Sequence, residues 1–251
     1  VARYGLIGRS LGHSRSPELF ADLFAREGVS DARYDLFELD AVDRLPALIG
    51  AHPDLRGLNV TIPYKQTVIP FLHALSTEAS AVGAVNSIRI TGDRWTGHNT
   101  DIDGFRALLT PHLRTLTEQA GQVRPRALVL GSGGSSRAVA YVLREHGLRF
   151  RAVSRSRERG DLTWGQVDRT VIGVCRLIIN TTPLGMWPEV HEAPALPYDA
   201  LTERHHLIDL VYNPEETEFM RRGRDAGAVV ENGLVMLKRQ AEAAWQFWMG
   251  G

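Results

Sequence analysis

The stretch Ala127-Leu128-Val129-Leu130-Gly131-Ser132-Gly133-Gly134-Ser135-Ser136 decides the fold. Four apolar residues in a row read as a strand buried on both faces, and the glycines that follow read as a tight turn into a helix. Glycine there lets the backbone approach a pyrophosphate, while the first turn of the next helix directs N–H groups toward it. The match to G-x-G-x-x-G is imperfect, because Ser136 stands where the third glycine belongs. Alone, such a turn also occurs at strand–helix junctions that bind no ligand. The context adds what the motif lacks: strand 126–130, helix 135–146 and strand 150–154 have the order and lengths of a βαβ unit. Gly131, Gly133, Gly134 and Ser135 are therefore expected to hold the phosphates of a dinucleotide.

The end of the second strand selects the nucleotide. It reads Val153-Ser154-Arg155-Ser156-Arg157-Glu158-Arg159, with no carboxylate at the position where NAD sites hold the ribose 2′-hydroxyl. Arg155 suits stacking on adenine and pairing with a 2′-phosphate, and Ser156 suits donation to it. The same run also reads as a solvated arginine cluster. Together with the glycine turn it favours NADP over NAD.

Outward from this unit, strand-like and helix-like segments alternate. Strands are expected at 3–7, 34–39, 57–60, 82–90, 95–97, 177–180, 207–210 and 228–231, with Thr91-Gly92-Asp93 turning a hairpin. Helices are expected at 16–27, 41–49, after Lys65, at 101–109 and at 233–248. The βαβ repetition implies an α/β fold with parallel sheets. Residues 111–126, polar and carrying Pro111, Gly121 and Pro125, read by composition as a boundary.

Composition narrows the function. The chain has 251 residues, room for two modest domains. Lys plus Arg number 29 and Asp plus Glu also 29, so no net field draws a polyanion and a nucleic-acid partner is not expected. Cys175 is the only cysteine, which excludes an internal disulfide and a multi-cysteine zinc site; its apolar neighbours read it as a packing residue. His191-Glu192 and His205-His206 lack a third matched ligand, so no metal is expected. The opening residues read as a strand rather than a leader, and no apolar run approaches the ~18 residues a membrane span requires, so the expectation is a cytoplasmic protein.

Seven segments then carry a resemblance. They are Gly12-His13-Ser14-Arg15-Ser16-Pro17, Gly57-Leu58-Asn59-Val60-Thr61-Ile62-Pro63-Tyr64-Lys65, Gly83-Ala84-Val85-Asn86-Ser87 and Gly97-His98-Asn99-Thr100-Asp101. Asn180-Thr181-Thr182-Pro183-Leu184-Gly185-Met186, Asp209-Leu210-Val211-Tyr212-Asn213-Pro214 and the run 233–240 complete the set. In this order, over nearly the whole chain, they resemble the shikimate dehydrogenase family.

The resemblance implies reduction of 3-dehydroshikimate to shikimate with NADPH. It implies two domains: an N-terminal α/β substrate domain, 1–101, completed by the C-terminal helix in 233–251, and a Rossmann-like NADP-binding domain, 102–232. It assigns catalysis to Lys65 and Asp101, and substrate contacts to Ser14, Ser16, Thr61, Asn86, Tyr212 and Gln240. Cofactor contacts fall on the glycine turn, Arg155, Ser156, Arg159, Leu210 and Gly233. The implied partners are small molecules, in a monomer or homodimer. The chain departs from the family pattern at Ser132, Ser154, Ser156 and Ser87, of which Ser154 removes an asparagine that often frames the adenosine phosphate.

The same residues also have plainer readings. Ser16 before Pro17 makes a good N-cap, though that leaves Ser14 unexplained. Gln240 lies on an apolar helical stripe with Gly233, Met236, Leu237 and Ala244, so its amide needs partners that either backbone or a polyol supplies. Asp101 also reads as a cap or turn residue after Asn99-Thr100. Lys65 stands apart, because it follows a strand at the sheet edge where α/β proteins bind ligands, and a fixed ammonium there stabilises and protonates the oxyanion of a ketone under hydride attack. Three alternatives remain beside the family activity: oxidation of quinate, a non-catalytic ligand-binding regulator, and an amino-acid- or folate-linked dehydrogenase of the same frame.

Overall fold

The structure, a computed structural model, describes residues 1–12, 14–120 and 125–250, without side-chain detail at 119 and 120. His13 and Gly121, which figure in the sequence reading, lie outside the described residues. The chain forms two compact units, Val1–Asp101 with Lys238–Gly251, and Ile102–Leu237.

The first unit is built on strands β1 (Ala2–Gly8), β2 (Ala32–Glu38), β3 (Leu55–Val60), β4 (Ala74–Leu75), β5 (Ser87–Thr91) and β6 (Arg94–His98), in the order β2-β1-β3-β5-β6-β4. β1 runs parallel to β2 and β3, whereas β3–β5 and β5–β6 are antiparallel. The sheet is therefore mixed rather than parallel. A two-residue turn, with Gly92 at φ +56°, returns β6 directly on β5, and a hairpin pairs only antiparallel.

Two further expectations need correction here. The strand expected over 82–90 begins only at Ser87: Val82 ends the helix Thr77–Val82, and residues 83–86 lead from it to the strand. Ser76 caps it by accepting from the Ala79 N–H at 3.1 Å, and Gly83 at φ +65° ends it. No α-helix follows Lys65: residues 62–68 are turns leading to a 3-10 turn at Ile69–Phe71. Pro63 and Pro70 interrupt the ladder a helix requires.

The C-terminal helix Leu234–Met249 docks through aromatic residues. Trp248 stacks on Tyr4 at 5.0 Å and on Phe20 at 5.3 Å between centroids, and Trp245 meets Tyr4 and Phe24 edge-on. Gly57 in β3 makes room, since a Cβ there would lie 2.5 Å from the Trp248 ring.

The second unit is a parallel sheet of β7 (Arg126–Leu130), β8 (Arg149–Ser154), β9 (Leu162–Thr163), β10 (Cys175–Asn180), β11 (His206–Asp209) and β12 (Val229–Glu231). Their order, β12-β11-β10-β7-β8-β9, reverses direction between β7 and β10, the switch point at which such sheets bind ligands. Helix Gly134–Glu145 follows β7, and Arg169–Val174 and Glu218–Asp225 follow β9 and β11.

Helix Asp101–Ala120 runs on through Pro111, past the end expected at 109. Buried Ile102, Phe105, Leu108, Leu109, His112 and Leu116 recur at helical spacing on both sides of the proline, and that burial outweighs the ~3 kcal/mol a central proline costs. Cys175 is buried, and burial raises its thiol above the ordinary range, which keeps it protonated. Among the described residues no helix is long and apolar enough to cross a membrane.

Candidate active site

Lys65 lies in the turn that follows β3, 13% exposed at its side chain, and donates from Nζ to Asp101 Oδ2 at 2.5 Å. Asp101 opens the long helix and is 2% exposed at its side chain. Its other oxygen, Oδ1, accepts from Asn86 Nδ2 at 2.9 Å. Asn86, immediately before β5, is the hub. Its Oδ1 accepts from the Thr100 N–H at 2.7 Å, which fixes the orientation of its amide. Its Nδ2 also reaches Thr100 Oγ1 at 3.1 Å and Gln240 Oε1 at 3.2 Å.

Lys65, Asp101, Asn86 and Gln240 are thus joined in one hydrogen-bonded group. The plain reading of Gln240 as bonded to backbone is set aside, because a side-chain amide is its partner.

Two residues that the sequence reading left without a role brace this group. Asn59, in β3, donates to the Asn86 carbonyl at 3.3 Å and accepts from the Tyr34 hydroxyl at 2.8 Å. Thr100 holds Asn86 from the opposite strand end. The signal for Asn59 was its place in Asn59-Val60-Thr61; its partners lie 25 and 27 residues away in sequence.

Ser14 and Ser16 lie in the segment that leads from β1 into the first helix, and Thr61 directly follows β3. Thr61 donates from its N–H to the Ile7 carbonyl at 2.9 Å, which sets it beside the end of β1. Ser16 is not the N-cap: Arg15 occupies that position without a side-chain bond, and Ser16 is the first helical residue. The Ser14 hydroxyl instead accepts from the Ser16 N–H at 3.2 Å. Both serines are half-buried and their hydroxyls stand at the helix start, where N–H groups favour an anion.

In the second unit Gly131 ends β7 at φ +116°, and a Cβ there would lie 2.5 Å from Thr181 Oγ1, so only glycine fits. Gly133 is the N-cap of helix Gly134–Glu145, and a Cβ on it would enter open space. Ser136, at the third glycine position, is buried and turned inward, donating to the Gly133 carbonyl at 2.6 Å. Its side chain therefore leaves the turn clear, and the imperfect motif does not disturb the geometry.

Arg155 and Arg159 are exposed just past β8, and among the described residues neither forms an ion pair. The buried Ser154 hydroxyl bonds to the Ser156 carbonyl and accepts its N–H at 3.2 Å, shaping that loop rather than facing outward. The turn, the helix start and these arginines fit a 2′-phosphorylated dinucleotide.

Leu210 and Tyr212 follow β11 and are half-buried. Gly233 is buried, and a Cβ there would lie 2.2 Å from the Leu210 carbonyl oxygen, so its lack of a side chain has a packing cause in its own right. Of the histidines, His206 meets His112 and His205 bonds to the Ile172 carbonyl; among the described residues no group of three or more potential ligands gathers at a metal site.

The family described as shikimate dehydrogenase substrate binding domain matches residues 6–88. A shikimate dehydrogenase (NADP(+)) of Clostridium beijerinckii is 36% identical over 98% of this chain and 91% of its own length. The Thermus thermophilus shikimate 5-dehydrogenase, solved in complex with NADP(H) and shikimate, superposes with a TM-score of 0.81 at 30% identity, covering 100% of this chain and 94% of that one. A quinate dehydrogenase of Corynebacterium glutamicum, in complex with NAD, superposes with a TM-score of 0.80 at 29% identity over 100% and 94%. On sequence and fold alike, this chain belongs to the shikimate dehydrogenase family.

Proposed function

We propose that this protein reduces 3-dehydroshikimate to shikimate with NADPH, reversibly, in the route to aromatic amino acids. The observation that carries the reading is the Lys65–Asp101 pair at 2.5 Å, held by Asn86 and Gln240. Residues 1–101 with 233–251 serve as the substrate domain and 102–232 as the NADP-binding domain. The reduced nicotinamide, when bound, supplies a hydride to the carbonyl carbon. The chain's part is to manage the oxygen: the Lys65 ammonium stabilises the negative charge that develops and donates the proton that completes the hydroxyl. Asp101 and Asn86 hold that ammonium in one place, so no reorganisation is needed at the moment of reaction. Ser14 and Ser16 bind the substrate carboxylate, and Thr61, Asn86, Tyr212 and Gln240 its ring hydroxyls. Gly131, Gly133, Gly134, Ser135, Arg155, Ser156, Arg159, Leu210 and Gly233 bind NADP. The partners are these small molecules alone, and the chain acts as a monomer or homodimer in the cytoplasm.

A second reading, quinate oxidation, is favoured by the likeness to the quinate dehydrogenase. Quinate carries an extra hydroxyl on the carboxylate-bearing carbon, so the Ser14–Ser16 end of the site decides between them. Oxidation of shikimate and of quinate, each with NADP and with NAD, separates the readings. The expected result is the highest kcat/KM for shikimate with NADP. A higher value for quinate, or for NAD with either acid, overturns the assignment of substrate or cofactor respectively.

A further inference from the structure

Asp209 closes β11 as a fully buried carboxylate that has no part in the Lys65–Asp101 pair. Its Oδ1 accepts from Asn180 Nδ2 at 2.9 Å and from the Val211 N–H at 3.0 Å, and its Oδ2 accepts from Thr217 Oγ1 at 2.6 Å. Asn180 closes the adjacent parallel strand β10 and stands opposite Asp209 in register. Asn180 carries the restraint onward. Its Oδ1 accepts from the Thr182 N–H at 3.0 Å and from Thr182 Oγ1 at 2.6 Å, and its Nδ2 reaches the Leu184 carbonyl at 3.5 Å. Thr217 is the N-cap of helix Glu218–Asp225. One carboxylate thus ties the loop after β10, the loop after β11 and the start of a helix into a single body beside the switch point of the sheet.

That arrangement is costly for the fold. Burial pushes the Asp209 carboxyl up to about 6, against the pull of Thr217, Val211 and Asn180. A carboxyl raised above its unfolded value contributes stability at low pH and loses it as the pH rises through about 6. At neutral pH the ionised form is therefore a liability, which an asparagine of the same shape would relieve. The three donors that meet the carboxylate come from the loop after β11, the end of β10 and the start of a helix.

We propose that Asp209 is a positioning residue for the nicotinamide half of the cofactor: it locks residues 181–184 and 210–212 together, so that both loops meet that half in one arrangement. The inference rests on the proposed reading of Leu210 as a cofactor contact and of Tyr212 as a substrate contact. Asp209 acts through these loops and touches neither substrate nor cofactor itself.

The test compares two ligands on wild type, Asp209→Asn and Thr217→Val. NADP spans the whole nucleotide site, whereas adenosine 2′,5′-bisphosphate carries only the half held by the glycine turn and Arg155. Asp209→Asn is expected to weaken NADP about tenfold and to lower kcat, while the bisphosphate changes by less than about twofold, the scale of losing one charge-assisted hydrogen bond. Its melting temperature at pH 7 is expected to hold or rise. Thr217→Val removes one of the three donors and is expected to give the same split at smaller size; if Asp209→Asn fails to fold, its result decides. Equal loss of both ligands, or no loss of either, in a folded variant overturns the inference. A wild type that binds NADP but does not turn over 3-dehydroshikimate defeats the proposed function while leaving this comparison intact. A wild type that binds neither ligand defeats both.

Discussion

At the scale of single residues, the chemistry turns on how firmly Lys65 is held. Its Nζ meets Asp101, Asp101 meets Asn86, and Asn86 is fixed in turn by Thr100, Gln240 and, through its carbonyl, Asn59. In the proposed mechanism Lys65→Ala removes the proton donor and the charge that stabilises the oxyanion, and is expected to lower kcat by roughly 10²–10⁴-fold with a smaller change in KM. Steady-state reduction of 3-dehydroshikimate measures both, and near-wild-type turnover would remove Lys65 from the mechanism. The residues of this group differ in how they could be read from sequence. Lys65, Asp101, Asn86 and Gln240 stood out because each polar group occupies a short motif or an apolar stripe. Asn59 and Thr100 lie inside such motifs too, but their roles depend on partners far away in sequence, which no motif displays. Ser16 misled for a local reason: Ser before Pro is a strong N-cap pattern, yet the cap position belongs to Arg15 and the useful hydroxyl bond comes from Ser14.

At the scale of elements, the second unit was the more legible. Strand β7 and the helix and strand after it follow the local βαβ pattern, and their ends moved by only a residue from those expected. The first unit depended on a non-local choice, a hairpin laid antiparallel on β3, and on a Ser76-capped six-residue helix that ends where the strand over 82–90 is expected to begin. The helix through Pro111 also brings His112 against His206, with their Nδ1 atoms 2.9 Å apart, and places His112 Nε2 3.4 Å from the Glu231 carboxylate. One proton serves the two facing nitrogens, so the pair is stable while neutral. Burial, then His112, then His205 push His206 down to about 4, and burial lowers His112 as well. A base with a depressed folded-state pKa stabilises the fold above its unfolded value and loses that contribution as the pH falls through the folded value. The wild type is therefore expected to lose on the order of 3 kcal/mol from the coupled His112–His206 pair as the pH falls from about 6.5 to about 4. Urea unfolding across that range checks it against His206→Leu, which keeps Asp209 and its opposite pH trend in both proteins. The variant is expected to be less stable at pH 7 yet to lose less stability on acidification; parallel curves would contradict the account.

At the scale of the whole molecule, the proposed function gives each unit part of one chemical task. The first unit holds a fixed ammonium among polar side chains suited to a hydroxylated ring, and the second presents a glycine turn, a helix start and arginines suited to NADP. Neither feature alone specifies a substrate, since a glycine turn identifies only a nucleotide and a buried lysine only a developing negative charge. The family to which the chain belongs joins them in a single reaction. The most direct measurement follows the absorbance of NADPH when 3-dehydroshikimate is added to the intact protein. The account predicts prompt, enzyme-dependent loss of NADPH with formation of shikimate in equal amount, and far less with NADH. No loss of NADPH beyond the rate without enzyme, from protein shown to be folded, would contradict it.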